Sequence, residues 1–272
     1  MLQGRRFASR LRTAAGTLLA RDTAVITNAI AFNFLLCLFP LLLVILAGAR
    51  QLPGGRRVTT AVVLVLGELI PFEREALARS VQGLQRLAGG LEAFSVLLIV
   101  WGSSGIFVPV EKALGRAWGT RPRPFLRSRL LALVMTVAGG LLAFLSVAAT
   151  VLARSFHKQL PFVAEYGART SALLMTYLLF YLVYRLIPHP AVGGRVAAKA
   201  ALWAGSVWEL AKYLFVVKLG GSGLQALYGP VAFAVALVLW AYVSSLVLVF
   251  GALMVPLEAG QRARVSPRGT RL

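Results

Sequence analysis

One acid and one base stand three residues apart inside a long apolar stretch, where ionisable side chains are rare. The stretch Ala197 to Leu219 is long and apolar enough to cross a bilayer, yet it carries Glu209 and Lys212 near its middle. An ionisable side chain at the bilayer centre costs about 2.5–3.5 kcal/mol on insertion-derived scales. Two interpretations stay open. The side chains either pair and pack inside a helical bundle, or they face a substrate or ion pathway.

Composition predicts a single integral membrane domain over residues 1–272. The chain is 58% hydrophobic and 14% charged, whereas soluble domains are nearer 45–50% apolar and 25% charged. It carries 29 Lys and Arg against 9 Asp and Glu, a formal charge of +20. In a membrane protein this excess favours basic cytoplasmic loops that contact anionic lipid headgroups, so no nucleic-acid partner is expected.

Six apolar stretches predict an all-α polytopic membrane bundle. The predicted transmembrane helices are 24–49, 91–110, 130–153, 171–187, 197–219 and 231–255. Residues 1–22 are predicted to form a basic amphipathic helix on the cytoplasmic surface, and 256–272 a basic cytoplasmic tail. The apolar run 58–70 is too short to cross the membrane. It predicts short amphipathic helices at the outer surface or, alternatively, a re-entrant hairpin.

The distribution of basic residues predicts that both termini are cytoplasmic. With six spans and both ends inside, and with basic residues within three positions of a span end counted with the adjoining connection, the cytoplasmic segments hold 18 Lys and Arg and the outer segments hold 10. Cytoplasmic connections of membrane proteins carry an excess of basic residues. A multi-pass protein of the plasma membrane, with its N- and C-termini inside, follows from this bias.

Several polar residues and helix breakers lie inside the predicted spans. The candidates for a substrate or ion pathway, besides the charged pair, are Asn28, Asn33, Ser103, Ser104, Tyr181 and Tyr228. The candidates for hinges or broken helices are Pro40, Gly102, Gly105, Gly229 and Pro230. Each group also has a packing interpretation. The asparagines can bond between helices, glycine and serine can let helices approach closely, and Tyr177, Tyr181 and Tyr184 can form a packing stripe.

The residue inventory argues against an enzyme. The sequence has one Asp, Asp22, two histidines, His157 and His189, and one cysteine, Cys37, and it contains no HExxH, Walker A, GxSxG or CxxC motif. A two-metal nuclease needs clustered carboxylates and histidines. No catalytic residue, metal or cofactor is therefore predicted.

Four blocks of sequence resemble the YihY/BrkB family of bacterial inner-membrane proteins, historically labelled ribonuclease BN or virulence factor. They are NAIAFNFLLCLFPLLLVIL at 28–46, VWGSSGIFVPVEKALGRAW at 100–118, YRLIPHPAVGGRVAAKAALWAGSVWELAKYLF at 184–215 and LYGPVAFAVALVLWAYVSSLVLVFGA at 227–252. The resemblance implies six transmembrane helices with cytoplasmic termini in the bacterial inner membrane, and no settled activity. In this family an acid usually follows the last glycine and alanine, whereas here Leu253 stands in its place. Glu209 is thus the one acid predicted deep in the membrane.

Two functions fit these observations. A transporter or translocator of an anionic lipid or organic anion would use Glu209 for a proton or a cationic group and Lys212 for a phosphate or carboxylate. A non-transporting scaffold of the cell envelope would instead use the long outer connection and the basic tails. A membrane-associated ribonuclease is a remote third alternative. The sequence names neither a substrate nor an oligomeric state.

Overall fold

Long helices form the framework that positions these residues. The structure is a computed structural model. It describes residues 11–18, 20–51, 107–120, 161–219 and 227–255, together with the shorter pieces 60, 63, 82–83, 123–124, 126–128, 130–132, 134–135, 138–139, 141–142 and 145. Within these residues all regular structure is helical, as the predicted all-α class requires.

Four helices have complete boundaries. They are α1, Arg21–Gln51; α2, Pro161–Leu186; α3, Gly194–Leu219; and α4, Ala232–Met254. A short 3-10 turn, Gly229–Val231, leads into α4. Residues 11–18 and 107–118 are helical as well.

The helix boundaries follow punctuation in the sequence. Pro161 stands at the first position of α2, where its missing N–H costs nothing. Pro188 and Pro190 follow the end of the same helix, as prolines commonly do because they cannot continue it. Gly229 takes a positive φ of 52° beside Pro230, so this predicted hinge is the turn that begins the 3-10 segment. α1 continues through Pro40 as one helix.

The observed helices match four predicted spans, with one clear difference in extent. α1, α3 and α4 agree with 24–49, 197–219 and 231–255 to within three residues at each end. α2 begins ten residues before the predicted start at 171. Residues 161–170, which the sequence left between two predicted spans, are therefore helical. The apolar residues Phe162, Val163 and Ala164 lie on the N-terminal side of the charged Glu165 and Arg169. The apolar pattern of the helix therefore resumes before these two charges.

The other predicted spans are only partly described. Residues 107–110 end the predicted span 91–110, and the described pieces between 130 and 145 are helical. Gly102, Ser103, Ser104 and Gly105 lie outside the described residues, as does nearly all of 58–70. Two helical stretches in the described residues are long and apolar enough to cross a membrane, Gly194–Val217 and Ala232–Met254, with a shorter apolar stretch at Ala172–Leu186. Six spans and their orientation stay predictions.

Small residues let three helices approach closely. α4 packs against both α1 and α3, and α3 packs against α2. A Cβ atom added at Gly251 on α4 would lie 2.4 Å from the Tyr184 hydroxyl, 2.7 Å from the Ala204 Cβ and 2.9 Å from the Ala200 carbonyl oxygen. Glycine at this position is therefore required by the approach of α2 and α3, the close packing that small residues provide between membrane helices.

Aromatic side chains run through the centre of this packing. Tyr184 is fully buried, donates its hydroxyl to the Leu248 carbonyl at 2.7 Å, and stacks on Phe180 with ring centroids 6.1 Å apart. Trp208 lies 5.8 Å from Phe180 and 4.8 Å from Trp240. The core is thus an aromatic series that joins α2, α3 and α4, with alanine and glycine filling the space between.

Candidate functional site

Helix α3 presents two different faces, and this difference positions the charged pair. Its small residues Ala197, Ala200 and Ala204 are buried, and they recur at the spacing of one helical face. Its first turn is closed by hydrogen bonds from the N–H groups of Val196 and Ala197 to the Gly193 carbonyl. Leu202, Trp203, Leu210, Tyr213 and Leu214 are exposed on the other side.

Glu209 and Lys212 form an ion pair at the border between these two faces. The Lys212 Nζ lies 2.7 Å from the Glu209 Oε1, and the two side chains are 22% and 30% exposed respectively. Apart from this ammonium, the buried Oε1 has no hydrogen-bond partner in the described part of the chain. The ion pair that one interpretation of the i,i+3 spacing predicted is thus present.

A second polar contact lies one turn away on the same helix. The hydroxyls of Tyr177 on α2 and Ser206 on α3 are 3.2 Å apart and exposed. The ring of Tyr177 packs so closely on Gly205 that a Cβ there would lie 2.3 Å from it. Tyr181, a predicted pathway residue, is half-buried, with its hydroxyl 3.4 Å from where a Gly194 Cβ would be. Tyr177 and Tyr181 therefore pack along α3, whereas the Tyr184 hydroxyl bonds to α4.

The other described pathway candidates do not converge on this pair. Asn33 donates from Nδ2 to the Ala29 carbonyl of its own helix at 2.7 Å, whereas the sequence predicted a hydrogen bond between helices. Asn28 is exposed on α1, and Tyr228 is exposed before the 3-10 turn. The amide of Asn33 follows the general habit of polar side chains that bond to the carbonyl four residues back.

Hydroxyl groups inside α4 behave in the same way. Ser244 bonds to the Trp240 carbonyl at 2.6 Å, and Ser245 bonds to the Tyr242 carbonyl at 2.7 Å. Each hydroxyl is satisfied by its own helix, which removes the cost of burying it in an apolar surrounding. Both serines are therefore accounted for by their own helix, without a ligand.

The structure contains a second buried acid that the sequence interpretation overlooked. Glu111 is 6% exposed, less than Glu209, and accepts hydrogen bonds from the Arg123 backbone N–H at 2.8 Å and the Ser128 hydroxyl at 3.0 Å. The sequence predicted Glu209 as the one acid deep in the membrane and gave no role to Glu111. The available signal was a lone acid directly after a predicted span, in a segment otherwise rich in arginine.

Arg123 joins this acid to the end of α2. Its guanidinium donates to the carbonyl oxygens of Leu186 at 2.9 Å and Pro188 at 3.2 Å, and to that of Ile187. A cation at a helix C-terminus meets the free carbonyls there and the negative end of the helix dipole. Burial lowers the pKa of Arg123, and the Glu111 charge opposes that effect. An arginine stays protonated in the physiological range.

Trp118 makes the corresponding connection to α4. Its indole N–H donates to the Val255 carbonyl at 2.9 Å, just past the end of that helix, and its ring meets Tyr184 edge-on at 5.7 Å. We call Glu111, Trp118, Arg123 and Ser128 the end node, because together they tie the ends of α2 and α4 to the 107–128 region.

The helical architecture and the two long apolar helices fit a helical membrane protein, and comparisons with known proteins support that class. A family model described as "Virulence factor BrkB" matches residues 15–269. The chain therefore belongs to the BrkB family, as the four sequence blocks indicated. Nothing among solved structures matches the chain.

Relatives in this family are themselves described chiefly as membrane proteins. A UPF0761 membrane protein of Stenotrophomonas maltophilia (strain K279a) is 28% identical over 82% of this chain and 54% of its own length. A UPF0761 membrane protein of Idiomarina loihiensis is 26% identical over 75% of this chain and 74% of its own. A protein of Bacillus subtilis (strain 168) named as ribonuclease-like, YfkH, is 23% identical over 82% of this chain and 85% of its own.

The chain matches only part of the length of some of these relatives. The chain spans about half the length of the Stenotrophomonas relatives that it matches. Their names give a membrane location and no substrate, and this chain shares the membrane location.

Proposed function

We propose that this protein moves an anionic lipid or another anionic amphiphile across the membrane, and that Glu209 and Lys212 contact the substrate. One observation carries the proposal: a half-buried ion pair sits in a helix apolar enough to span the bilayer. Ionisable residues at that depth are costly and commonly mark a transport pathway. Within the described residues, the Glu209 Oε1 also has no hydrogen-bond partner besides this ammonium.

The chemistry of each partner suits such a substrate. The Lys212 ammonium carries three donors and can meet a phosphate or carboxylate. When the substrate anion takes the ammonium, the Glu209 carboxylate can hold a proton or turn to a cationic group of the substrate. The basic excess of the chain, 29 Lys and Arg against 9 acids, would raise the local concentration of anionic lipid.

The test separates a structural ion pair from a functional one. The purified protein is reconstituted in liposomes with fluorescent phosphatidylglycerol and a panel of organic anions, as wild type, Glu209→Gln, Lys212→Met and the double variant. A single change leaves one unpaired charge in the membrane, whereas the double change leaves none. We expect all three variants to fold, as judged by their elution and unfolding temperature, and to lose transport.

The double variant makes the proposal falsifiable. If the pair only stabilises the bundle, the double variant recovers wild-type transport while the single variants do not. That recovery would contradict the assignment of Glu209 and Lys212 as substrate contacts. A wild-type protein that moves none of the tested substrates would contradict the transport proposal as a whole.

We also propose that the activity is not enzymatic, although one relative is named as ribonuclease-like. Within the described residues, no three His, Cys, Asp or Glu side chains come together as metal ligands would. The buried acid Glu111 is occupied by the Arg123 backbone N–H and the Ser128 hydroxyl. RNA cleavage by the purified protein that is lost on substitution of an in-membrane residue would contradict this proposal.

A further inference from the structure

A line of five polar side chains and one leucine, Leu202, runs along the outside of α3, and the predicted pathway residues account for only part of it. Arg195, Lys199, Leu202, Ser206, Glu209 and Tyr213 follow one another at alternating intervals of four and three residues. That spacing places all six on one side of a helix. We call this set the polar stripe.

The polar stripe lies on a surface, not inside the bundle. Arg195, Lys199, Ser206 and Tyr213 are exposed, as is Leu202, while Glu209 is half-buried. Ala197, Ala204 and Trp208 lie on the opposite side of the helix, in or against the core. A polar stripe on the outer surface of a membrane-spanning helix is unusual, because lipid tails offer its members no hydrogen bonds.

The length of the polar stripe matches the thickness of the barrier. From Arg195 to Tyr213 the helix rises about 27 Å, close to the hydrocarbon thickness of a bilayer. Ser206 lies midway along the candidate span Gly194–Val217, where a headgroup without polar contacts would pay the largest desolvation cost. The Tyr177 hydroxyl on α2 adds a further polar group at that depth.

We propose that the polar stripe carries the phosphate headgroup of a membrane phospholipid along the outer surface of α3 while the acyl chains stay in the bilayer. This inference rests on the proposed translocation activity and names its substrate class and route. The charges fit a phosphate, since the polar stripe carries Arg195 and Lys199, while the charge of Glu209 is paired with Lys212. The exposed Trp203 and Leu210 border the polar stripe and offer apolar contact to the chains.

The experiment blocks the polar stripe at its centre. Ser206→Trp places a large ring where the headgroup would pass, on an exposed position that tolerates bulk. Leu214→Trp adds the same ring to an exposed position off the polar stripe and serves as the matched control. Exchange of fluorescent phosphatidylglycerol between the leaflets of proteoliposomes is followed by dithionite bleaching. We expect Ser206→Trp to slow exchange by about tenfold and Leu214→Trp to exchange at the wild-type rate.

A second measurement uses a substrate without tails. Glycerophosphoglycerol has the same headgroup chemistry, and we expect vesicles that carry the wild-type protein to retain it. Release of this solute as fast as lipid exchange would indicate an enclosed pathway and overturn the lipid-facing route, while the proposed transport function would stand. An unchanged exchange rate in Ser206→Trp would overturn the inference as well.

A third measurement asks whether another copy of the chain covers the polar stripe. Ser206→Cys in a Cys37→Ala background leaves one thiol, which is treated with a short crosslinker in native membranes. We expect monomer alone. Efficient crosslinking into dimers would show that a second copy occupies this surface, and would overturn the lipid route.

Discussion

Two acids in this protein lie in contrasting surroundings. Glu111 is almost fully buried and accepts hydrogen bonds from the Arg123 backbone N–H and the Ser128 hydroxyl. Glu209 is half-buried, and among the described residues the structure gives it one partner, the Lys212 ammonium. Burial alone would mark Glu111 as the more unusual acid. The difference in partners supports a structural role for Glu111 and is compatible with the substrate contact proposed for Glu209.

The largest effect is expected from breaking the end node. Arg123→Ala would leave the part-buried carbonyls of Ile187 and Pro188 and the exposed carbonyl of Leu186 without this donor, and hydrogen bonds to a charged group contribute about 1.5–3 kcal/mol. We expect a marked drop in the unfolding temperature of the purified protein in detergent. Arg127→Ala removes an exposed arginine four residues away and should leave that temperature unchanged. Equal temperatures for both variants would contradict a structural role for the end node.

A smaller loss of stability is expected where α2, α3 and α4 meet. Gly251→Ala adds a Cβ within 3 Å of Tyr184, Ala204 and Ala200, so the helices must separate, at a cost of about 1–3 kcal/mol. Gly194→Ala adds the same atom 3.4 Å from the Tyr181 hydroxyl, where a small shift suffices. Thermal unfolding should rank wild type and Gly194→Ala together, above Gly251→Ala. The reverse order would mean that the three helices pack differently.

The charged pair should contribute little to stability. Because Glu209→Gln/Lys212→Met leaves no unpaired charge among apolar groups, it should change the free energy of unfolding by less than about 1 kcal/mol. The same double variant is expected to lose transport. Stability and activity measured on one preparation therefore sharpen the contrast with Arg123→Ala, whose stability falls most. A large loss of stability in the double variant would make the pair structural, like the end node.

The smallest effect is expected from pH at the end node. Burial places the pKa of Arg123 below that of an unfolded arginine, so the unfolded state binds more protons only in the window between the two values. Stability rises with pH inside that window, which lies near the ordinary arginine pKa. From about pH 6 to pH 9 Arg123 stays protonated in both states, so we expect its contribution to be flat. The difference in unfolding temperature between wild type and Arg123→Ala, followed over this range, checks it.

The apolar periodicity and the prolines of the sequence predicted the positions of three of the four helices with complete boundaries. Apolar length and proline positions placed α1, α3 and α4 within three residues of their observed ends. The start of α2 was missed because Glu165 and Arg169 interrupt the apolar pattern, although charged residues are compatible with a helix end near the membrane surface. The local sequence therefore predicts the centre of each helix more accurately than its ends.

The sites were harder to predict than the helices, for a physical reason. The Glu209–Lys212 pair is local, so its spacing of three residues sufficed. The end node joins Arg123 to residues 63 to 65 positions away and Trp118 to Val255, contacts that only the folded chain defines. The Asn33 amide donates to the Ala29 carbonyl of its own helix, whereas the sequence predicted a hydrogen bond between helices.

The central claim is that Glu209 and Lys212 serve the substrate and not the fold. Lipid exchange by the double variant Glu209→Gln/Lys212→Met tests it most directly, because neither charge is left unpaired. We expect the double variant to have an unfolding temperature close to that of wild type and to lose phosphatidylglycerol exchange. Exchange at the wild-type rate in a folded double variant would contradict it.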